Sequence, residues 1–170
     1  GAPAYSASVP AGGSTLSMRF SGTNSCYYVM GTNLAAYYAG VDFDTFSMSC
    51  DANPGGNGAD GFSVAMSAGA LGAGSVFVYH TGGTWRVHVN GVGDIIRGPA
   101  VTWNVWTHLE LVRADFGSGP EYRLFINGAD VGSSGLSAVR PGPAFTVGGN
   151  YRNVPLTDPR PFEGCFKGLI

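Results

Sequence analysis

The stretch EYRLFINGADVG, residues 121–132, is where the fold of this chain is decided. Tyr122, Leu124 and Ile126 alternate with Arg123, Phe125 and Asn127. Alternation with period two puts successive side chains on opposite sides of an extended backbone, so a strand with one buried face is expected. Asn127-Gly128 then interrupts it. Both central positions of a type I′ turn need positive φ, and Asn-Gly adopts that conformation at little cost. The chain is therefore expected to fold back at once, as a hairpin of strands 121–127 and 129–133.

The same grammar recurs along the chain. TFSMSCDA sets Phe46, Met48, Cys50 and Ala52 against Ser47, Ser49 and Asp51. GFSVAMSAG sets Phe62, Val64 and Met66 against Ser63, Ala65 and Ser67, and TWRVHVNG sets Trp85, Val87 and Val89 against Arg86, His88 and Asn90. Gly82-Gly83 in HTGGTW is a second two-residue hairpin signal. NPGGNG, DFGSGP and RPGPA read as loops. Further strands are expected over 15–21, 26–30, 45–52, 61–67, 75–80, 84–90, 93–97, 106–113, 144–148 and 162–169. Apolar residues nowhere recur at three and four over a useful length, and glycine interrupts each helical candidate. Closely spaced strands without helices predict an all-β, two-sheet antiparallel sandwich. No composition break divides the chain, so residues 15–170 read as one domain and residues 1–14 as an extension or linker.

Composition agrees. Of 170 residues, 44% are hydrophobic and 12% charged, which excludes a charge-rich disordered chain. The 28 glycines show no collagen-like period and fit a fold with many tight turns. A net charge of −2, with Lys167 the single lysine and the arginines scattered from Arg19 to Arg160, leaves no footprint for nucleic acid. No apolar window is long enough for a transmembrane helix, so direct membrane insertion is not expected. The opening GAPAYSASVPAGGST has neither a basic nor an apolar leader region, so a signal peptide is expected to be absent or already removed. Cys26, Cys50 and Cys165 lack metal-like spacing and read as small buried hydrophobes, Cys50 inward with Phe46 and Met48.

The ordered set WTHLELVR (106–113), EYRLFINGADVGS (121–133), FTVGGN (145–150) and PFEGCFKGLI (161–170) resembles the laminin-G-like family of the concanavalin A-like lectin/glucanase superfamily. STLSMRFSGTNSCYYV and FDTFSMSCDANPGG, in the first half, resemble that family's opening strands. One departure stands out: Asp51 takes a place where the family usually carries Trp. The resemblance implies a jelly roll of two curved sheets whose first and last strands pair. In that layout Cys26 and Cys165 approach each other, and a bridge between them is the alternative to two free thiols. It also reads His108 as structural, satisfied by a neighbouring backbone group, and Trp106 as core.

Four groups are candidate ligand contacts. Asp60 and Gly61 lie in GADGFSV, which resembles the Ala-Asp-Gly stretch of L-type lectins, where the Asp accepts hydrogen bonds from two sugar hydroxyls. A carboxylate suits that task as a double acceptor, and Gly61 lets a ligand approach the backbone. The bland reading is an Asp-Gly turn. Asp51 and Asn53 share the polar side of one strand with Ser47 and Ser49, which is equally an ordinary solvated face. Trp85, with Tyr79, His80 and Arg86, flanks the Gly82-Gly83 turn, where aromatic faces can stack on sugar rings or merely pack across the hairpin. Asn150, Tyr151 and Arg152 belong to the polar loop 148–160, on the kind of connection that often carries recognition.

No cofactor is predicted. Asp158, Asp115 and Asp42 or Asp44 are conceivable calcium ligands by the resemblance, but no loop has the acid density of a dedicated site. Glu110, Glu121 and Glu163 lack acid neighbours at alternating spacing, so the paired carboxylates of a glycosidase are missing. Asp42 and Asp44 have that spacing but fall in a loop, and no nucleophile elbow appears. The expectation is therefore a non-catalytic recognition module for a glycan or surface glycoprotein. It would be extracellular or surface-exposed and part of a larger polypeptide. The alternatives are a protein adhesion or projecting structural domain of a cell surface, phage fibre or virus capsid, and then a glycoside hydrolase or lyase domain.

Overall fold

The Asn127-Gly128 turn has φ of 52° and 79°, and Gly82-Gly83 has 54° and 66°. All four values are positive, as type I′ hairpins require. In this computed structural model, residues 4–6, 17–21, 28–29, 45–55, 63–69, 74–135, 145–147 and 163–167 are described. The strands are β1 (Ala4–Ser6), β2 (Ser17–Ser21), β3 (Tyr28–Val29), β4 (Phe46–Pro54), β5 (Ser63–Ala68), β6 (Val76–Thr81) and β7 (Thr84–Val89). They continue with β8 (Gly93–Ala100), β9 (Thr107–Asp115), β10 (Pro120–Ile126), β11 (Ala129–Ser134), β12 (Phe145–Val147) and β13 (Glu163–Lys167). One sheet has the order β1-β2-β13-β4-β9-β10-β11 and the other β3-β12-β5-β6-β7-β8. Neighbouring strands run antiparallel. The two-sheet all-β sandwich expected from the alternation is what forms, and β13 pairs with β2, the strand expected to open the fold, while β1 lies on the other side of β2.

The core lies between the sheets. Met48, Cys50 and Ala52 of β4, Leu109 and Leu111 of β9, and Tyr122, Leu124 and Ile126 of β10 face Val76 and Val78 of β6 and Trp85, Val87 and Val89 of β7. Cys50 is a buried free thiol. Its burial, and secondarily the charge of Asp51, push its ionisation well above the ordinary thiol range, so it is an inert core residue. Arg113 continues the inward row of β9, fully buried, with its guanidinium 5.2 Å from the Tyr122 ring centroid.

Two features depart from expectation. Ala4–Ser6, inside the segment read as an extension, forms β1, with Ala4 opposite Arg19. And the register of β5 on β6 slips between Val64 and Met66. A bulge inserts one residue and turns the strand over locally. Met66 therefore joins the main core while Val64 joins Phe77 and Tyr79 in a second cluster on the outer side of the sheet. Strict alternation had put Val64 and Met66 on one face.

Gly132 sets how the sandwich closes along one side, where β11 meets β8. A methyl group built there would fall 2.7 Å from Cγ2 of Ile96, which is buried. Gly132→Ala is expected to destabilise by roughly 1–2 kcal/mol, because Ile96 has no short way out of the contact. At Gly135 a methyl would meet nothing within 4 Å. Urea midpoints that fell equally for alanine at both positions would remove the role assigned to Gly132.

Candidate functional site

The six-stranded sheet presents two polar rows on its outer face. Cross-strand partners align Val64, Tyr79, Arg86 and Arg97 in one row and Ser67, Phe77, His88 and Asp94 in the next. Arg86 and His88 face outward because Trp85, Val87 and Val89 occupy the inward positions of β7. Asp94 reaches them because β8 carries two register shifts against β7, one between Thr84 and Arg86 and one between Val87 and His88.

Asp94 is the hub. The Tyr79 hydroxyl donates to its Oδ1 at 2.6 Å and Arg86 Nη1 donates to its Oδ2 at 2.8 Å. His88 Nδ1 lies 2.8 Å from Oδ1. An ionised carboxylate only accepts, so the proton of that bond sits on Nδ1 and leaves Nε2 as the ring's other polar atom. Partial burial works against the charged form of Asp94, but the three donors together outweigh it and hold the carboxyl below its ordinary range. The Tyr79 phenol moves the other way, raised by burial and then by its bond to Asp94. The hydrogen bond to Asp94 also strengthens the protonated form of Arg86. The His88 ring stacks on Phe77 with centroids 4.8 Å apart and planes 26° apart. Phe77 and Tyr79 are buried, whereas the side chains of Arg86, His88 and Asp94 are 24%, 25% and 32% exposed. The accessible part of the cluster is thus a fixed carboxylate with a guanidinium and an imidazole beside it.

Trp85 does not take the ligand-facing place expected of it. It is fully buried, edge-on to its cross-strand partner His80 at 5.3 Å, and His80 meets Trp103 edge-on at 5.1 Å. The hairpin aromatics pack across the strands, and the outward positions fall to their immediate neighbours. Of the expected hairpin group only Tyr79 and Arg86 join the outer cluster. His88 and Asp94 were not singled out, although the polar phase of TWRVHV already marked His88.

Asp51 and Asn53 sit on the outer side of β4, in the other sheet. Two packed sheets are about 10 Å apart, so one small ligand cannot touch these residues and the Asp94 cluster together. Asp51 Oδ1 pairs with His108 Nδ1 at 2.7 Å, directly across the β4–β9 ladder. The His108 side chain is therefore satisfied by a carboxylate, not by the backbone. Its backbone is bracketed separately: its N–H donates to Asn127 Oδ1 and its carbonyl accepts from Asn127 N–H, each at 2.9 Å. This tie links the Trp-x-His strand to the Asn-Gly turn. Trp106 is only half-buried, and Trp103 packs against the core instead. Since the Asp51–His108 pair is well exposed, a double-mutant cycle is expected to find a coupling of about 0–1 kcal/mol. A coupling far above that would mark the pair as more than a surface contact.

Asp60, Gly61, Asn150, Tyr151 and Arg152 lie outside the described residues, as do Asp42, Asp44, Asp158 and Cys26. Asp115 holds its own turn, its Oδ1 accepting from the N–H groups of Gly117 at 2.7 Å and Gly119 at 3.0 Å. Among the described residues no group of three or more His, Cys, Asp or Glu is arranged to hold a metal ion.

No protein-family model and no curated protein matches the chain. Solved structures do match its fold. The CBM40 of the Ruminococcus gnavus IT-sialidase, bound to α2,3-sialyllactose, superposes with a TM-score of 0.66 at 18% identity, over 88% of this chain and 84% of that one. Domain 4 of AbnA, a GH43 extracellular arabinanase from Geobacillus stearothermophilus in complex with arabinotriose, matches at 0.64 and 17%, over 98% and 73%. Domains LG4-5 of the mouse laminin α1 chain match at 0.57 and 14%, over 95% of this chain and 44% of that one. The chain shares the two-sheet jelly-roll fold of these domains, laminin LG4-5 among them, which is the fold that the sequence resemblance implied.

Proposed function

We propose that this domain is a non-catalytic glycan-binding module of a secreted or surface-exposed protein, and that it works as one part of a larger polypeptide. The observation that carries this reading is the Asp94 cluster on the outer face of the six-stranded sheet. A saccharide offers hydroxyls that both donate and accept, set around a ring with an apolar C–H face. Asp94 supplies a pre-oriented acceptor, Arg86 a planar set of donors, and the stacked His88 a polar ring edge. Because each group is already fixed by its neighbours, little side-chain entropy is lost on binding. The sialyllactose and arabinotriose complexes described above support the same reading. Asp60 and residues 148–160 remain candidates for further contacts.

The test is a glycan array probed with the purified domain, followed by calorimetry on the strongest ligands and a digestion screen on the matching polysaccharides. Saturable binding without product release is expected. Released product would make the domain an enzyme, and a blank array would move the reading to protein adhesion.

A further inference from the structure

Arg86 and Arg97 are direct cross-strand partners on the outer face of β7 and β8. Like charges directly opposed across a ladder are destabilising. A sheet relieves such a pair by placing a carboxylate next to each, but here Asp94 serves Arg86. Arg97 is exposed and has no ion-pair partner among the described residues. Two guanidinium groups thus stand on adjacent strands with one carboxylate, which Arg86 alone engages, in a chain whose overall charge is −2.

We infer that Arg86 and Arg97 together bind the anionic group of an acidic saccharide, a carboxylate or a sulfate, an assignment that rests on the glycan-binding reading above. Directly opposed side chains start about 5 Å apart, within reach of one shared oxyanion for two residues as long as arginine. The guanidinium fork matches the paired oxygens of either group. Asp94 then sets the orientation. Its own charge repels the anion, so the acidic group lies on the Arg97 side and the sugar hydroxyls point to Asp94 and His88.

The test titrates the whole domain with three tetrasaccharides: an oligogalacturonate, a heparin-derived sulfated oligomer and neutral galactan. At least one acidic ligand is expected to bind about tenfold or more tighter than the neutral one, the weight of one charge-assisted contact. That margin should shrink as salt rises. Which acidic ligand wins distinguishes carboxylate from sulfate. Arg97→Gln should abolish most of the margin while Arg97→Lys keeps part of it, and Arg97 is exposed, so neither variant should unfold below the wild-type midpoint, Arg97→Gln rising slightly as the opposed charge is lost. Equal binding of acidic and neutral ligands, or an undiminished margin in Arg97→Gln, overturns the inference and leaves the glycan-binding reading standing. Failure of all three ligands, together with a blank array, overturns both.

Discussion

Trp85→Ala is expected to destabilise the domain by about 3–5 kcal/mol, the usual result of emptying a large aromatic site in a core that relaxes only in part. Trp85 is fully buried and lies edge-on to His80, which in turn lies edge-on to Trp103. Removing it leaves a cavity under both rings and under the hairpin that carries Arg86 and His88. A domain of this size has a total stability of about 5–15 kcal/mol, so the substitution takes a large share of it. Should the alanine variant fail to fold, Trp85→Phe keeps part of the packing and should fall between it and wild type. Chemical denaturation reads both. The sharper readout is glycan affinity in conditions where the phenylalanine variant is folded, which should stay close to wild type. A variant with unchanged stability and lost binding would show Trp85 to be a ligand contact after all.

Asp94→Asn is expected to abolish measurable glycan binding and to destabilise by about 2–3 kcal/mol, since three donors lose a charged acceptor and the Tyr79 hydroxyl is buried. The pH dependence has a definite sign. The folded carboxyl titrates below its ordinary 3.8, so its contribution is complete above that value and is lost as the pH falls through the lower folded one. The stability difference between wild type and Asp94→Asn should therefore be constant from neutral pH down to about 5 and shrink in stronger acid. Urea midpoints at several pH values measure it. Curves that stay parallel into strong acid would mean that the carboxylate is not held by these bonds.

Much of this was readable in advance, and for identifiable reasons. The 121–132 hairpin was legible because two independent local signals agree there, a period-two pattern and an Asn-Gly pair that alone meets the turn's need for positive φ. The inward row Met48, Cys50 and Ala52 was legible because alternation assigns faces without knowledge of partners. The same logic marked Arg86 and His88 as outward and Trp85 as inward. Reading Trp85 as a ligand contact went against that phase on the strength of what aromatic rings can do.

Other features had no local signature. The bulge in β5 depends on how β5 settles against β6, so Val64 and Met66 look equivalent in the sequence and are not. Asp94 stands alone in GVGDIIR. Nothing near it announces a site, because its donors come from other strands, Arg86 and His88 from β7 and Tyr79 from β6. Asp51 and Asp94 are both acids on strands, yet one meets a histidine on an exposed ladder and the other gathers a buried phenol, a guanidinium and an imidazole.

The sequence by itself determined that the chain is all β, where most of its strands and its two tightest hairpins lie, and which residues of each regular strand face inward. These depend on backbone conformation and side-chain alternation, which act over a few neighbouring residues. Only the tertiary structure decided that Asp94, Tyr79, Arg86 and His88 form one cluster and that Asp51 is on the far side of the sandwich from it. Register between strands, shifted by bulges, brings those groups within hydrogen-bonding distance, and register is a property of paired strands that neither strand carries alone.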